Sequence, residues 1–287
     1  MNDADSQRTW GWKSVILWIL LPLAVGILLS LLIPRPAIGV LTLDDAIYSS
    51  TAQEMITQID AARTHPEIKA VVLVLNSPGG TVTDTESVYL ELARLRQTKP
   101  VVTVVEGMAA SGAYYLAAGS DVVLAKPSSE VGNIGVIGYL PSSPAVMEEV
   151  YSTGPYKLWG SPRETFVREM EMLKQGFLQA VLLGRGDRLK VPAETVLRGQ
   201  IWPGAEALRM GLIDGLGTQS QALDEAARMA RIAHYRVVNL RQLSGLPETP
   251  VPPAQGAFFQ EANGMRTAYP TESGLFYLYI PPAEQKP

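Results

Sequence analysis

The run Lys69-Ala-Val-Val-Leu-Val-Leu75, followed at once by Asn76-Ser77-Pro78-Gly79-Gly80, constrains this chain more than any other feature. A strand with one wet face alternates apolar and polar residues. An unbroken apolar, β-branched run marks a strand buried on both faces, as in a parallel sheet sandwiched by helices. Further strand-like runs lie at 37–43, 101–105 and 121–125, and a last strand is expected at 235–240. Between them the spacing is helical: Met55, Ile56, Ile59 and Ala62 within 52–63, then Val88, Leu92 and Leu95 within 83–96. Further helices are expected at 164–183, 192–197, 204–210 and 219–232. Strands alternating with helices of this length imply right-handed crossovers, so residues 36–240 read as an α/β domain of mostly parallel βαβ units.

Residues 14–34 (SVILWILLPLAVGILLSLLIP) carry no charge. About 20 apolar residues in a helix span the hydrocarbon core of a bilayer. Pro22 and Gly26 are tolerated in lipid, and Trp10, Trp12 and Trp18 suit an interface. A cleaved leader would have a shorter apolar stretch ending at small residues, whereas this one ends Leu-Ile-Pro-Arg-Pro. A single transmembrane anchor is therefore expected, with residues 1–13 cytoplasmic and the α/β domain outside. Arg8 and Lys13 before the span, against Arg35 after it, set that orientation. The tail at 241–287 contains many Pro and Gly residues. Within it, 274–280 (GLFYLYI) reads as a strand that docks on this chain or a neighbour.

Composition removes several chemistries. A net charge of −4 provides no basic footprint for nucleic acid, and the absence of cysteine excludes disulfides and thiolate nucleophiles. No zinc, EF-hand or Walker pattern occurs, so neither a metal nor a cofactor is expected. The chain has two histidines, His65 in a polar loop and His234 near the last strand. Neither sits in a glycine-rich strand-end segment, where ligands of α/β sheets bind.

Such segments do carry other reactive groups. Asn76-Ser77-Pro78-Gly79-Gly80 offers bare amides near a ligand, or is a plain strand-to-helix turn. Gly107-Met-Ala-Ala-Ser111-Gly112-Ala-Tyr-Tyr115 puts Ser111 at a helix N-terminus among small residues, as a nucleophile or an ordinary N-cap. In Gly154-Pro-Tyr-Lys157-Leu-Trp159 the lysine has aromatic neighbours. It is either a base made neutral by desolvation or a surface lysine that snorkels to water. With no histidine available, a Ser-Lys pair is the better reading if Ser111 is a nucleophile.

Taken in order, these segments resemble the SppA-type signal peptide peptidases. Ser77-Pro78-Gly79-Gly80 is similar to that family's SPGG, Ala110-Ser111-Gly112-Ala-Tyr-Tyr115 to its nucleophile segment, and Tyr156-Lys157 with Ser161-Pro-Arg163 to its lysine segment. Trp202-Pro-Gly-Ala-Glu and Gly211-Leu-Ile-Asp214 follow suit. The resemblance spans about 38–240. It implies a ClpP/crotonase-like fold without metal or cofactor, Ser111 as nucleophile, Lys157 as base, and an oxyanion hole from the amides of Gly80 and Gly112. The segment Ser77, Pro78, Gly79 would line the substrate groove. It further implies a homo-oligomer, octamer-like, in which neighbouring subunits share active sites. Asn133 in Gly132-Asn133-Ile-Gly-Val stands where the family has a serine that orients the lysine.

The expected activity is hydrolysis of apolar peptides, such as cleaved signal peptides, at a cell membrane by acyl transfer. Competing expectations are a stomatin-operon-type membrane protease with the same dyad, an inactive scaffold of the same fold, and a crotonase-type acyl-CoA enzyme.

Overall fold

The computed structural model describes residues 11–12, 16–32, 35–139, 153–154, 156–157, 162–247, 261–262, 265–266 and 274–280. The segment expected to span a membrane is a π-helical turn, Ile16–Leu20, running into α1 (Leu21–Leu32). Pro22 accounts for the change of helix type. It has no N–H to bond the carbonyl four residues back, and its ring presses on that turn. Among the described residues no helix is long and apolar enough to cross a membrane. The ends of the expected span, at 14–15 and 33–34, lie outside the described residues, as do residues 1–10.

The domain begins with β1 (Ala37–Leu43), α2 (Ser49–Thr64), β2 (Ile68–Ser77), β3 (Gly79–Thr81), α3 (Val82–Arg96), β4 (Val101–Ala110) and α4 (Gly112–Ala118). Then come β5 (Val122–Ala125), β6 (Glu130–Gly132), β7 (Ile137–Tyr139), α5 (Arg163–Arg185), α6 (Ala193–Val196), β8 (Ile201–Pro203) and α7 (Gly204–Met210). The remainder is β9 (Gly215–Leu216), α8 (Gln219–Ala230), β10 (Arg236–Asn239), α9 (Leu240–Leu243), a small hairpin of β11 (Glu261–Ala262) and β12 (Met265–Arg266), and β13 (Gly274–Leu278).

The main sheet runs β10-β1-β2-β4-β5-β9 with every neighbouring pair parallel. Its two faces come directly from the twofold repeat of the strands. Val71, Leu73 and Leu75 point to one core with Met55 and Ile59 of α2, Val88, Leu92 and Leu95 of α3, and Phe177 and Val181 of α5. Ala70, Val72 and Val74 point to the other, closed by Ala222, Ala226 and Ala227 of α8. Residues 69–75 read as continuously apolar because each face of β2 needs its own apolar set.

β4 is longer than the 101–105 run suggests. After Val105 it leaves β5 and continues as Met108–Ala110 beside β6, which pairs antiparallel with β8. Glu106 and Gly107 interrupt the apolar pattern at the change of neighbour, so periodicity alone stops too early. Pairing of Ser77 with Ala109 then brings the carboxyl ends of β2 and β4 together. A separate three-stranded sheet, β3-β13-β7, sits at this end, with β13 antiparallel to both neighbours.

Candidate active site

Ser111 joins β4 to α4 in a conformation that side chains rarely adopt, φ 53° and ψ −120°. Such backbone costs about 1–3 kcal/mol and persists only where the surroundings impose it. Here the Ser111 N–H donates to the Gly132 carbonyl at 2.8 Å, and its carbonyl accepts from the Tyr115 N–H at 3.0 Å. The hydroxyl makes no capping bond to the helix, so Ser111 is not an ordinary N-cap serine. The residue is 1% exposed. The small residues around it are needed because Ala109, Ala110 and Ala113 are all fully buried beneath the turn.

The glycine-rich segment after β2 packs against this elbow. A methyl group built on Gly79, whose φ is +93°, would lie 2.6 Å from the Gly112 nitrogen. One built on Gly112 would lie 3.3 Å from the Gly80 nitrogen. The backbone at Gly79 and Gly80 therefore approaches that of Gly112 closely, and a side chain at 79 would collide with the Gly112 amide. Ile47 holds the segment from behind: its N–H donates to Gly79 at 2.7 Å and its carbonyl accepts from Thr81 at 2.9 Å. Ser77, fully buried, accepts the Gly79 N–H on its hydroxyl at 3.2 Å, and the Pro78 carbonyl accepts the Tyr279 N–H at 2.8 Å.

Asn133 also has positive φ, 53°, which Asn tolerates better than most residues. Its side-chain amide donates to the Gly199 carbonyl at 2.7 Å and its backbone N–H to that of Gln200 at 2.6 Å. The residue thus fastens the Gly132 turn, which in turn receives the Ser111 N–H. Lys157 lies on an exposed turn, its N–H donating to the Gly154 carbonyl at 3.2 Å. Among the described residues no hydrogen bond joins Lys157 to Ser111 or to Asn133. Its neighbours Leu158 and Trp159 lie outside the described residues.

Sequence reasoning missed several contributors. Ile47 follows a polar turn and has no local signature. Arg185, buried at the end of α5, makes a double hydrogen bond to Asp214 with both contacts at 2.8 Å. Asp214 also accepts from Arg188 at 2.9 Å and from the Val123 N–H at 2.8 Å, tying α5 to β5. Burial works to raise the Asp214 pKa, but the hydrogen bond and charge of Arg185, with the Val123 amide and Arg188, hold it below the ordinary value. A cavity of about 330 Å³ lined by Asp44, Asp45, Glu54 and Arg241 lies elsewhere; Ser111 and the glycines do not line it.

A parallel α/β sheet with a strained serine at a strand end and paired glycine amides beside it defines a ClpP-like α/β protein. The family model for Clp protease matches residues 37–131, and that for peptidase family S49 matches 93–233. A Synechocystis sp. protein with a provisional protease name is 31% identical over 215 residues, 68% of this chain and 75% of that one. Protease 4 of Salmonella typhi is 32% identical over 194 residues, 63% of this chain and 31% of its own length. The chloroplastic serine protease SPPA of Arabidopsis thaliana is 30% identical over 219 residues, 70% of this chain and 32% of its own. The chain belongs to peptidase family S49, the SppA type. It covers less than two thirds of the Salmonella and Arabidopsis relatives, and 64% and 59% of those from Methanocaldococcus jannaschii and Enterococcus faecium.

Proposed function

We propose that this chain is a serine peptidase in which Ser111 attacks the peptide carbonyl, the amides of Gly80 and Gly112 hold the oxyanion, and Lys157 is the general base. The observation that carries this reading is the strained Ser111 backbone beside two adjoining glycine amides. Strain of this kind clusters at reacting groups, and amides preset for a developing oxyanion are among the largest sources of rate enhancement.

Lys157 serves as base only when neutral, which requires removal from water. A single chain leaves it exposed. We therefore assign the dyad to the contact between two copies, Ser111 from one and Lys157 from its neighbour, in a homo-oligomer of octamer-like form. Asn133, whose Nδ2 already bonds Gly199, has its amide oxygen to offer that lysine. The exposed apolar run containing Trp18, Leu21, Leu23 and Leu28 supports attachment to a membrane, the domain lying outside the cytoplasm. Its substrates are apolar peptides of the cleaved signal-peptide kind.

The test is turnover of an apolar fluorogenic peptide by the full chain, with fluorophosphonate labelling of Ser111. Ser111→Ala and Lys157→Ala should each lower turnover roughly a thousandfold or more while the melting temperature stays close to wild type. Near-normal turnover in either variant would sink the dyad.

A further inference from the structure

Because β10, β1, β2, β4, β5 and β9 run parallel, they all start along one edge of the sheet. That edge gathers cations. Arg236 opens β10 opposite Ala37, and its N–H donates to the Pro36 carbonyl at 3.1 Å. Lys69 lies where the register between β1 and β2 slips. Ala37 pairs with Ile68 and Ile38 with Ala70, so Lys69 is the extra residue of a bulge. A bulge re-aims its side chain, and Lys69 is the exposed residue in a stretch, 68–75, that is otherwise buried. Lys99, just before β4, donates to the carbonyls of Ala62 and His65 at 2.5 and 2.7 Å, which brings the end of α2 to the same edge. Arg35 precedes β1 and is exposed.

Helix C-termini also meet this edge, and their dipoles account for a base such as Arg63 in the last turn of α2. They do not account for Arg35, Lys69 and Arg236, which stand before or within strands. Among the described residues neither Arg35 nor Lys69 makes a side-chain hydrogen bond or an ion pair. Arg236 comes no nearer than 3.8 Å to Glu67, which already bonds His65 at 3.0 Å. The other carboxylate close by, Asp60, is held by Arg63. Burial and the charge of Lys69 lower the Lys99 pKa, the sign expected where cations crowd. The chain as a whole carries a net charge of −4, and the opposite edge has Asp44 and Asp45 after β1 and Asp84 at the start of α3. Charge is therefore segregated between the two edges.

The basic edge is also the one that receives the apolar segment. α1 ends at Leu32 and β1 starts at Ala37, five residue steps later, which reach at most about 18 Å when extended. We propose that this edge, through Arg35, Lys69 and Arg236, docks the domain on anionic phospholipid headgroups and holds the opposite edge, with Ser111, away from the bilayer. The inference rests on the membrane attachment proposed above. Each basic residue at an anionic surface shifts such an equilibrium about fivefold, and salt screens the effect.

The chain has no cysteine, so a single introduced one can carry a dye. Gln97→Cys and Thr83→Cys place it on exposed positions at the two ends of α3, roughly 20 Å apart, the first at the basic edge. The full chain is reconstituted in vesicles of phosphatidylcholine, alone or in equal parts with phosphatidylglycerol, containing a trace of headgroup-quencher lipid. In the anionic vesicles, quenching at 97 should exceed that at 83. High salt, or phosphatidylcholine alone, should remove the excess. Replacing Arg35, Lys69 and Arg236 together by Gln should lower the ratio of docked to undocked chains at least about tenfold, while Lys69→Arg should match wild type. Salt reads the same charges without a substitution, so the test holds even if the triple variant folds poorly. Equal quenching at the two positions, or no effect of phosphatidylglycerol, in chains that float with the vesicles overturns the docking. Undiminished excess in the triple variant overturns the assignment to these residues. A chain that floats with neither vesicle removes the membrane attachment itself, and this inference with it.

Discussion

At the scale of single residues, the site depends on backbone that only certain side chains permit. Gly79→Ala puts a methyl within 2.6 Å of the Gly112 nitrogen and 2.1 Å of the Tyr277 carbonyl, at a φ of +93°. The expected result is loss of turnover by about a hundredfold or more through displacement of one oxyanion donor, measured as kcat on a fluorogenic peptide. Fluorescence and circular dichroism should show the fold retained. Asn133→Gly should leave stability close to wild type, since glycine also accepts a φ of 53°, while removing the bond to Gly199. Asn133→Ser would supply a hydroxyl in place of the amide. If Asn133 orients the base, Ser should preserve kcat better than Gly does; equal kcat in the two variants would remove that role.

At the scale of elements, the Arg185–Asp214 pair joins the end of α5 to the edge of β5. Asp214→Ala leaves the buried guanidinium of Arg185 without its carboxylate, which costs about 3–5 kcal/mol in such pairs. Urea melts should show the midpoint fall accordingly. The acid limb of stability follows from the same contact. The Asp214 pKa is held below its ordinary value, so its contribution is complete above about pH 5 and is lost as pH falls through the depressed value. Asp214→Asn should flatten that part of the stability profile; an unchanged acid limb would point to other carboxylates. The tyrosines packed near the site do not titrate in this range. Burial pushes Tyr115 up to about 12 and raises Tyr114 and Tyr277 as well, so all three remain neutral, and Tyr114 and Tyr277 donate to the Leu212 and Leu173 carbonyls.

At the scale of the whole molecule, the proposed sharing of the dyad between subunits has a distinctive signature. Inactive Ser111→Ala and Lys157→Ala chains, refolded together in equal amounts, should recover up to about a quarter of wild-type turnover if Ser111 and Lys157 meet across a subunit contact. If each site is built within one chain, the mixture stays inactive. Much of the architecture was legible beforehand: the apolar run at 69–75 announced a two-faced parallel strand, and the helices at 52–63 and 83–96 followed from their spacing. The tight backbone around Ser111 and its glycines was legible because close approach of main chains leaves small residues behind. The exact conformation of Ser111, the approach of Gly112 to Gly80, and the place of β13 between β3 and β7 were not. These are contacts between segments far apart in the chain, chosen by packing and strand register. Local composition and periodicity determine which residues prefer strand, helix or turn and which faces they must bury. Only the folded chain decides which amides meet, because that depends on distances closed by the sheet.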